Sequence, residues 1–221
     1  MEINWESQVL SSVSKVIPKL SCLEIDIDKL HEVAAELSED SFSINYEGNT
    51  NTVPKEYIRK TMLINTLNFV FTDFLTSVKY KIENYSDTDA MVYQIDKALD
   101  QGIPLTQGRF MRDMNLKEFK TLFTGNIVMP MADEKVKILN NVGDILVTKY
   151  GGDWINFIDD GPKKLYDNGK GLVERLVRDF KRFDDHSIFE NEKVYFLKLA
   201  QLAFWGIHRA VSYTHLTLPT T

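Results

Sequence analysis

Apolar residues return at three- and four-residue spacings along most of the chain, the period of a helix that buries one face, and capping signals mark where most of these stretches begin and end. The first covers residues 6–17 and stops at Pro18. Residues 23–27 alternate apolar with acidic, as a short strand or extended entry would, and Asp28 is then expected to cap a helix over 28–37. Residues 41–53 are polar, carry Gly48 and end at Pro54, so they read as a loop or a small hairpin around Phe42, Ile44 and Tyr46. Further helices are expected over 54–74, from Ser86 or Asp87 to Gly102, after Asn115, from Pro130 to Gly151-Gly152, and over 153–160, 169–180 and 192–211. Two boundaries carry a mechanism: Asn115 stands three residues before Glu118 as in a capping box, and Gly151-Gly152 supply the left-handed residues that end a helix. The pattern predicts one mainly α domain with at most a small β-hairpin, and no repeat or linker divides it.

Two of these stretches lack a polar face. Residues 57–74 carry Ile58, Met62, Leu63, Ile64, Leu67, Phe69, Val70, Phe71 and Phe74, which marks a central helix. Its exceptions, Asn65 and Asn68, are three apart and would be neighbours, either bonded to the backbone of adjoining loops or lining a pocket. The last stretch leaves little solvent face around Lys198 and Gln201. Lys198 then either snorkels to the surface along its stem or sits beside an anion, an internal carboxylate or a ligand. Lys198, Gln201 and Trp205 share one face by spacing.

Composition narrows the class. Hydrophobic residues make up 43% and charged residues 26% of 221, the balance of a folded globular protein. A net charge of −6, with Lys and Arg in scattered groups such as Lys163-Lys164 and Lys181-Arg182 that read as solvated faces, argues against direct nucleic-acid binding. The single cysteine, Cys22, excludes an internal disulfide and any zinc site with two thiolates; it points to a reducing compartment and, among Leu20, Leu23 and Ile25, to a buried structural thiol. With no signal-like start and no membrane-length apolar run, the chain is expected to be cytoplasmic.

Catalytic patterns are scarce. There is no phosphate loop, no His pair with metal-ligand spacing and no nucleophile elbow, so neither metal nor cofactor is implied. Asp167-Asn168-Gly169-Lys170-Gly171 reads as a turn, and Asp159-Asp160 and Asp184-Asp185 as caps or surface charge. Taken residue by residue, the chain is a helical domain with an anion-binding pocket as its one candidate feature.

Several segments nevertheless share a pattern. Thr66-Leu67-Asn68-Phe69-Val70-Phe71, the turn from Ala98 to Thr106, the run from Met129 to Asn140 with Gly143 and Tyr150-Gly151-Gly152, and Phe183-Asp184-Asp185 with Phe189, Val194-Tyr195-Phe196 and Lys198-Leu199-Ala200-Gln201 resemble, in order, the "LNFxF", "ALDEGIPIT", "MPLLEERVRIL" with "FGG", and "FRD…F…VxFYKRAQ" segments of the queuosine salvage proteins. The resemblance covers most of residues 58–201. It implies a helical fold akin to DNA glycosylases, and hydrolysis of the N-glycosidic bond of queuosine 5′-phosphate to release queuine for salvage into tRNA. The implied partner is that small molecule, with no direct nucleic-acid or membrane contact. Family position combined with burial points to Asn45, Asn68, Phe69, Phe71 and Lys198 as substrate-binding residues, the phenylalanines stacking on the base and Lys198 holding the 5′-phosphate.

The chain also departs from the family. It has Asn45 where bacterial relatives carry His, and Asn65 and Thr72 where an Asp and a Trp are usual. The family's catalytic aspartate lies in a "FADYRxPQ" segment that has no counterpart here, so no catalytic residue is assignable. From Tyr213 onward an uncharged Thr/Leu/Pro string replaces the helical pattern. Residues 1–212 are therefore expected to form a single domain, about two-thirds of the family fold, with 213–221 a non-native tail, an inactive chain and apolar surface exposed on its last helix. The alternative is a non-catalytic helical interaction module derived from the same family.

Overall fold

A computed structural model describes residues 5–21, 24, 26–36 and 55–210. Cys22, the loop over 41–53 with Asn45, and the tail from Tyr213 lie outside the described residues. Ten α-helices and two small sheets are formed among those described: α1 (Trp5–Val16), α2 (Ile27–Glu36), α3 (Lys55–Leu67), β1 (Lys81–Ile82), β2 (Tyr85–Ser86), α4 (Asp87–Asp100), α5 (Gly108–Asp113), α6 (Leu116–Leu122), α7 (Ala132–Tyr150), α8 (Trp154–Asp159), α9 (Leu172–Asp179), β3 (His186–Phe189), β4 (Glu192–Tyr195) and α10 (Lys198–Ala210). Both sheets are antiparallel pairs, β1 with β2 and β3 with β4. The fold is mainly α, as the periodicity predicts, with two hairpins instead of one.

α7 is the axis of the core, packed against α3, α5, α6 and α8. Its stripe of Val136, Leu139, Val142 and Leu146 is buried. Gly143 is required there for close approach: a Cβ would stand 2.3 Å from the Arg112 backbone nitrogen and 2.6 Å from the Gly108 carbonyl of α5. Beside it Asn140 Nδ2 donates to the carbonyls of Met111 and Met114, both at 2.9 Å, closing the end of α5. Beyond Gly151, which ends α7 at φ +60°, Trp154, Phe157, Phe180 and Phe183 form a cluster of mostly edge-to-face rings. Arg59 of α3 reaches this layer and donates through Nε and Nη2 to the two carboxylate oxygens of Asp153, at 2.9 and 2.6 Å. Asp153 is at the same time the N-cap of α8.

Three expectations are corrected. The helix expected over 54–74 ends at Leu67; the chain turns at Val70 and then pairs with the segment that follows, with Thr72 bridged to Lys79, Tyr80 N–H donating to Phe71 C=O and Asp73 N–H to Val78 C=O. Phe71 and Thr72 suit a pleated strand, and the segment from Val78 to Tyr80 takes up the hydrogen bonds there. The helix expected over 192–211 begins at Lys198 instead. Its first residues are β4, folded back on β3 through Glu190 and Asn191, both with positive φ (45° and 67°), the geometry of a tight hairpin turn. Finally, α2 is capped by Asp26, whose Oδ1 accepts from the Lys29 amide at 2.9 Å, and Asp28 lies in the first turn. The capping box of α6 is as expected: Asn115 and Glu118 exchange side-chain and backbone bonds at 3.0 Å each.

Candidate functional site

The end of α3 gathers polar and cationic groups at the edge of the core. Four backbone carbonyls lose their helical partners where a helix stops; here one cation supplies donors to two of them and a second serves the turn just beyond. Arg182, from the short 3-10 turn Lys181–Phe183, donates through Nε to Thr66 C=O at 2.8 Å and through Nη2 to Asn65 C=O at 3.5 Å. Lys135, from the first turn of α7, is 0% exposed and donates through Nζ to Phe69 C=O and, at 3.3 Å, to Val70 C=O. The same Nζ lies 3.7 Å from the ring centre of Phe69 and 5.1 Å from that of Phe71, and the Arg182 guanidinium stands 4.7 Å from Phe69. Burial, and secondarily the neighbouring Arg182 charge, pull the Lys135 ammonium down to about 7. Burial likewise lowers the Arg182 guanidinium, against the opposing pull of Asp185.

Asp185 joins this cluster to α10. Its Oδ2 accepts from the amides of Lys198 at 3.0 Å and Leu199 at 3.3 Å, capping the helix from thirteen residues upstream. Its Oδ1 is buried with no hydrogen-bond partner among the described residues, whereas Asp184 Oδ1, also buried, lies 3.3 Å from His186 Nδ1. Lys193 Nζ lies 3.6 Å from the other Asp184 oxygen. Along the outer side of α10 runs an open cleft of about 570 Å³ whose walls are Tyr166, Phe196, Trp205, Leu165 and Leu202, with Lys198 and Gln201 as its polar lining. None of these residues is a carboxylate. Among the described residues no group of three His, Cys, Asp or Glu could hold a metal ion, and no helix is long and apolar enough to cross a membrane.

Of the residues singled out from sequence, Lys198, Gln201 and Trp205 come together in the cleft as their spacing predicts. Lys198 is exposed, the snorkelling alternative, and the deeply buried lysine is Lys135. Phe69 and Phe71 are half-buried around Lys135 and do not line the cleft; Arg182 and Asp185 lie between the two parts. Asn68 and Asn65 do not share a helical face: Asn68 Oδ1 accepts from Thr88 Oγ1 at 2.9 Å, and Asn65 Nδ2 donates to Thr61 C=O at 2.9 Å. Asn45 lies outside the described residues. Asp185 is a cap, as expected, whereas Arg182 is no solvated surface charge. Lys135 and Arg182 were not visible as site residues, although the spacing Lys135, Leu139, Val142, Leu146 places the lysine on the buried stripe of α7.

A profile of the family described as "Queuosine salvage protein" matches residues 44–217. Among curated proteins, the chain is 30% identical over 146 residues to a queuosine 5′-phosphate N-glycosylase/hydrolase of Mus musculus, covering 63% of this chain and 42% of that one. It is 26% identical over 173 residues to a protein of that name from Bos taurus (76% and 50%). A third, from Sphaerobacter thermophilus, is 23% identical over 206 residues (91% and 62%). The chain thus spans about half the length of the curated relatives it matches.

Proposed function

The chain belongs to the queuosine salvage protein family, and on that premise we propose that it binds queuosine 5′-phosphate and serves the hydrolysis of its N-glycosidic bond. The observation that carries this reading is the family match over residues 44–217, which takes in the Phe69 cluster, the Asp185 cap and the cleft alike. The base stacks on the half-exposed rings of Phe69 and Phe71, the 5′-phosphate reaches Lys198 as a point charge at the edge of the aromatic cleft, and the ribose crosses between them near Arg182 and Asp185.

Cleavage of a ribosyl C–N bond passes through an oxocarbenium-like state that needs a carboxylate beneath the sugar and a proton for the departing base. Asp185 is engaged as a helix cap and the cleft holds no acid, so the described residues bind the nucleotide and do not by themselves cleave it. Residues 1–212 act as one domain in this reading. Its setting is the cytoplasm, which the single cysteine supports. One observation favours the interaction-module alternative: Phe196, Leu202 and Trp205 leave 48%, 36% and 42% of their surface exposed along α10.

Calorimetric titration of the 221-residue chain with queuosine 5′-phosphate separates the two. One saturable site, weakened about tenfold or more by Lys198→Ala, supports the nucleotide reading. No heat from a folded chain sinks it.

A further inference from the structure

Val70 is held at φ +47°, a conformation that a β-branched side chain adopts only under constraint. The constraint is visible. The two peptide groups flanking Val70 present their carbonyls, those of Phe69 and Val70, to the one buried ammonium of Lys135. Two hydrogen bonds from one nitrogen, on either side of one residue, fix its backbone turn, and the turn sends Phe69 and Phe71 to positions 3.7 and 5.1 Å from the same nitrogen. Arg182 secures the preceding carbonyls of Asn65 and Thr66. On the far side, Phe71 C=O is tied to the Tyr80 amide at 2.7 Å.

We propose that Lys135 is a positioning residue: it clamps the strained turn at Val70 and thereby sets the orientation of the Phe69 and Phe71 rings that receive the base. Its relevance to the ligand rests on the nucleotide reading above, while the clamp itself does not. Lys135 is fully buried and acts through the turn, not by touching substrate. A neutral apolar replacement would leave two carbonyls without donors, and the turn would relax toward negative φ, carrying both rings with it.

The test compares the full chain with Lys135→Met, Lys135→Arg and Val70→Gly by amide hydrogen exchange and by titration with queuosine 5′-phosphate. In Lys135→Met, exchange at the Phe69 and Tyr80 amides should rise about tenfold or more while the amides of α7 around Val142 stay protected, and affinity should fall about tenfold or more. Lys135→Arg, which keeps the donors and the charge, should restore both to within roughly threefold of the parent. Glycine takes positive φ freely, so in a Val70→Gly background Lys135→Met should raise local exchange by less than about threefold. That background also provides a folded comparison should the single variant be lost. Unchanged exchange at Phe69 and Tyr80, a rise that spreads equally through α7, or an equal effect with and without Val70→Gly would overturn the clamp. If exchange behaves as expected but the parent chain binds no nucleotide, the clamp stands and the nucleotide reading falls.

Discussion

Gly143→Ala puts the packing of α7 on α5 to a quantitative test. By helix propensity alone the change should stabilise, since alanine is favoured over glycine in a helix interior by about 1 kcal/mol. Packing opposes it. The added methyl would stand 2.3 Å from the Arg112 nitrogen, 2.6 Å from the Gly108 carbonyl oxygen and 2.8 Å from Arg112 Cα. All three are backbone atoms of one helix and cannot rotate away, so α5 must move outward by roughly 1 Å. Such overpacking costs about 1–3 kcal/mol. The movement also stretches the 2.9 Å bonds from Asn140 to Met111 and Met114 one turn away, each worth about 0.5–1.5 kcal/mol. The net expectation is a loss of about 2–3 kcal/mol, or a fall in melting temperature of roughly 4–12 °C for a chain of this size. Thermal unfolding followed by far-ultraviolet circular dichroism reads it directly. A melting temperature equal to or above that of the parent would mean that the two helices do not touch at Gly143.

Two further outcomes follow from the charges. The Lys135 ammonium is depressed from the usual lysine range to about 7 in the fold, so charging it costs the native state more than the unfolded chain. Stability from this group is therefore lowest below about pH 7 and rises as pH climbs toward the ordinary value near 10.5, by about 5 kcal/mol at most; denaturant midpoints at pH 6, 8 and 9.5 should show that slope in the parent chain and a flatter one in Lys135→Met. Asp153 has the opposite sign: Arg59 holds its carboxylate below the ordinary range, so its contribution is present above about pH 4 and is lost as pH falls through the depressed value. Asp153→Ala, which removes both the pair to Arg59 and the cap of α8, should cost about 2 kcal/mol at neutral pH, measured by urea unfolding.

How far sequence reaches is clearest at the ends of elements. Where a boundary is set within a few residues it was legible: the Asn115–Glu118 box starts α6, Gly151 ends α7, and the spacing of Lys198, Gln201 and Trp205 forecasts the cleft. Where it is set by a distant partner it was not. α3 stops at Leu67 because Phe71 finds the Tyr80 amide and because Arg182, more than a hundred residues on, takes the carbonyls of Asn65 and Thr66. α10 starts at Lys198 because Asp185 caps it across a hairpin whose turn, Glu190-Asn191, lacks the glycine that usually signals one. The candidate site divides in the same way. Phe69, Phe71 and Lys198 were reached through family segments, whereas Lys135 and Arg182, which hold those segments in place, reveal themselves only once the interior is assembled.

Footprinting in the presence of queuosine 5′-phosphate reports where on the chain the nucleotide sits. With hydroxyl radicals and mass spectrometry, the account predicts reduced oxidation at Phe69, Phe71, Phe196 and Trp205 together, with Tyr85 and Ile188, exposed at 46% and 62% on other surfaces, unchanged. Protection of the cleft residues without Phe69 and Phe71, or no protection at all, would contradict a nucleotide that spans the Arg182–Asp185 seam.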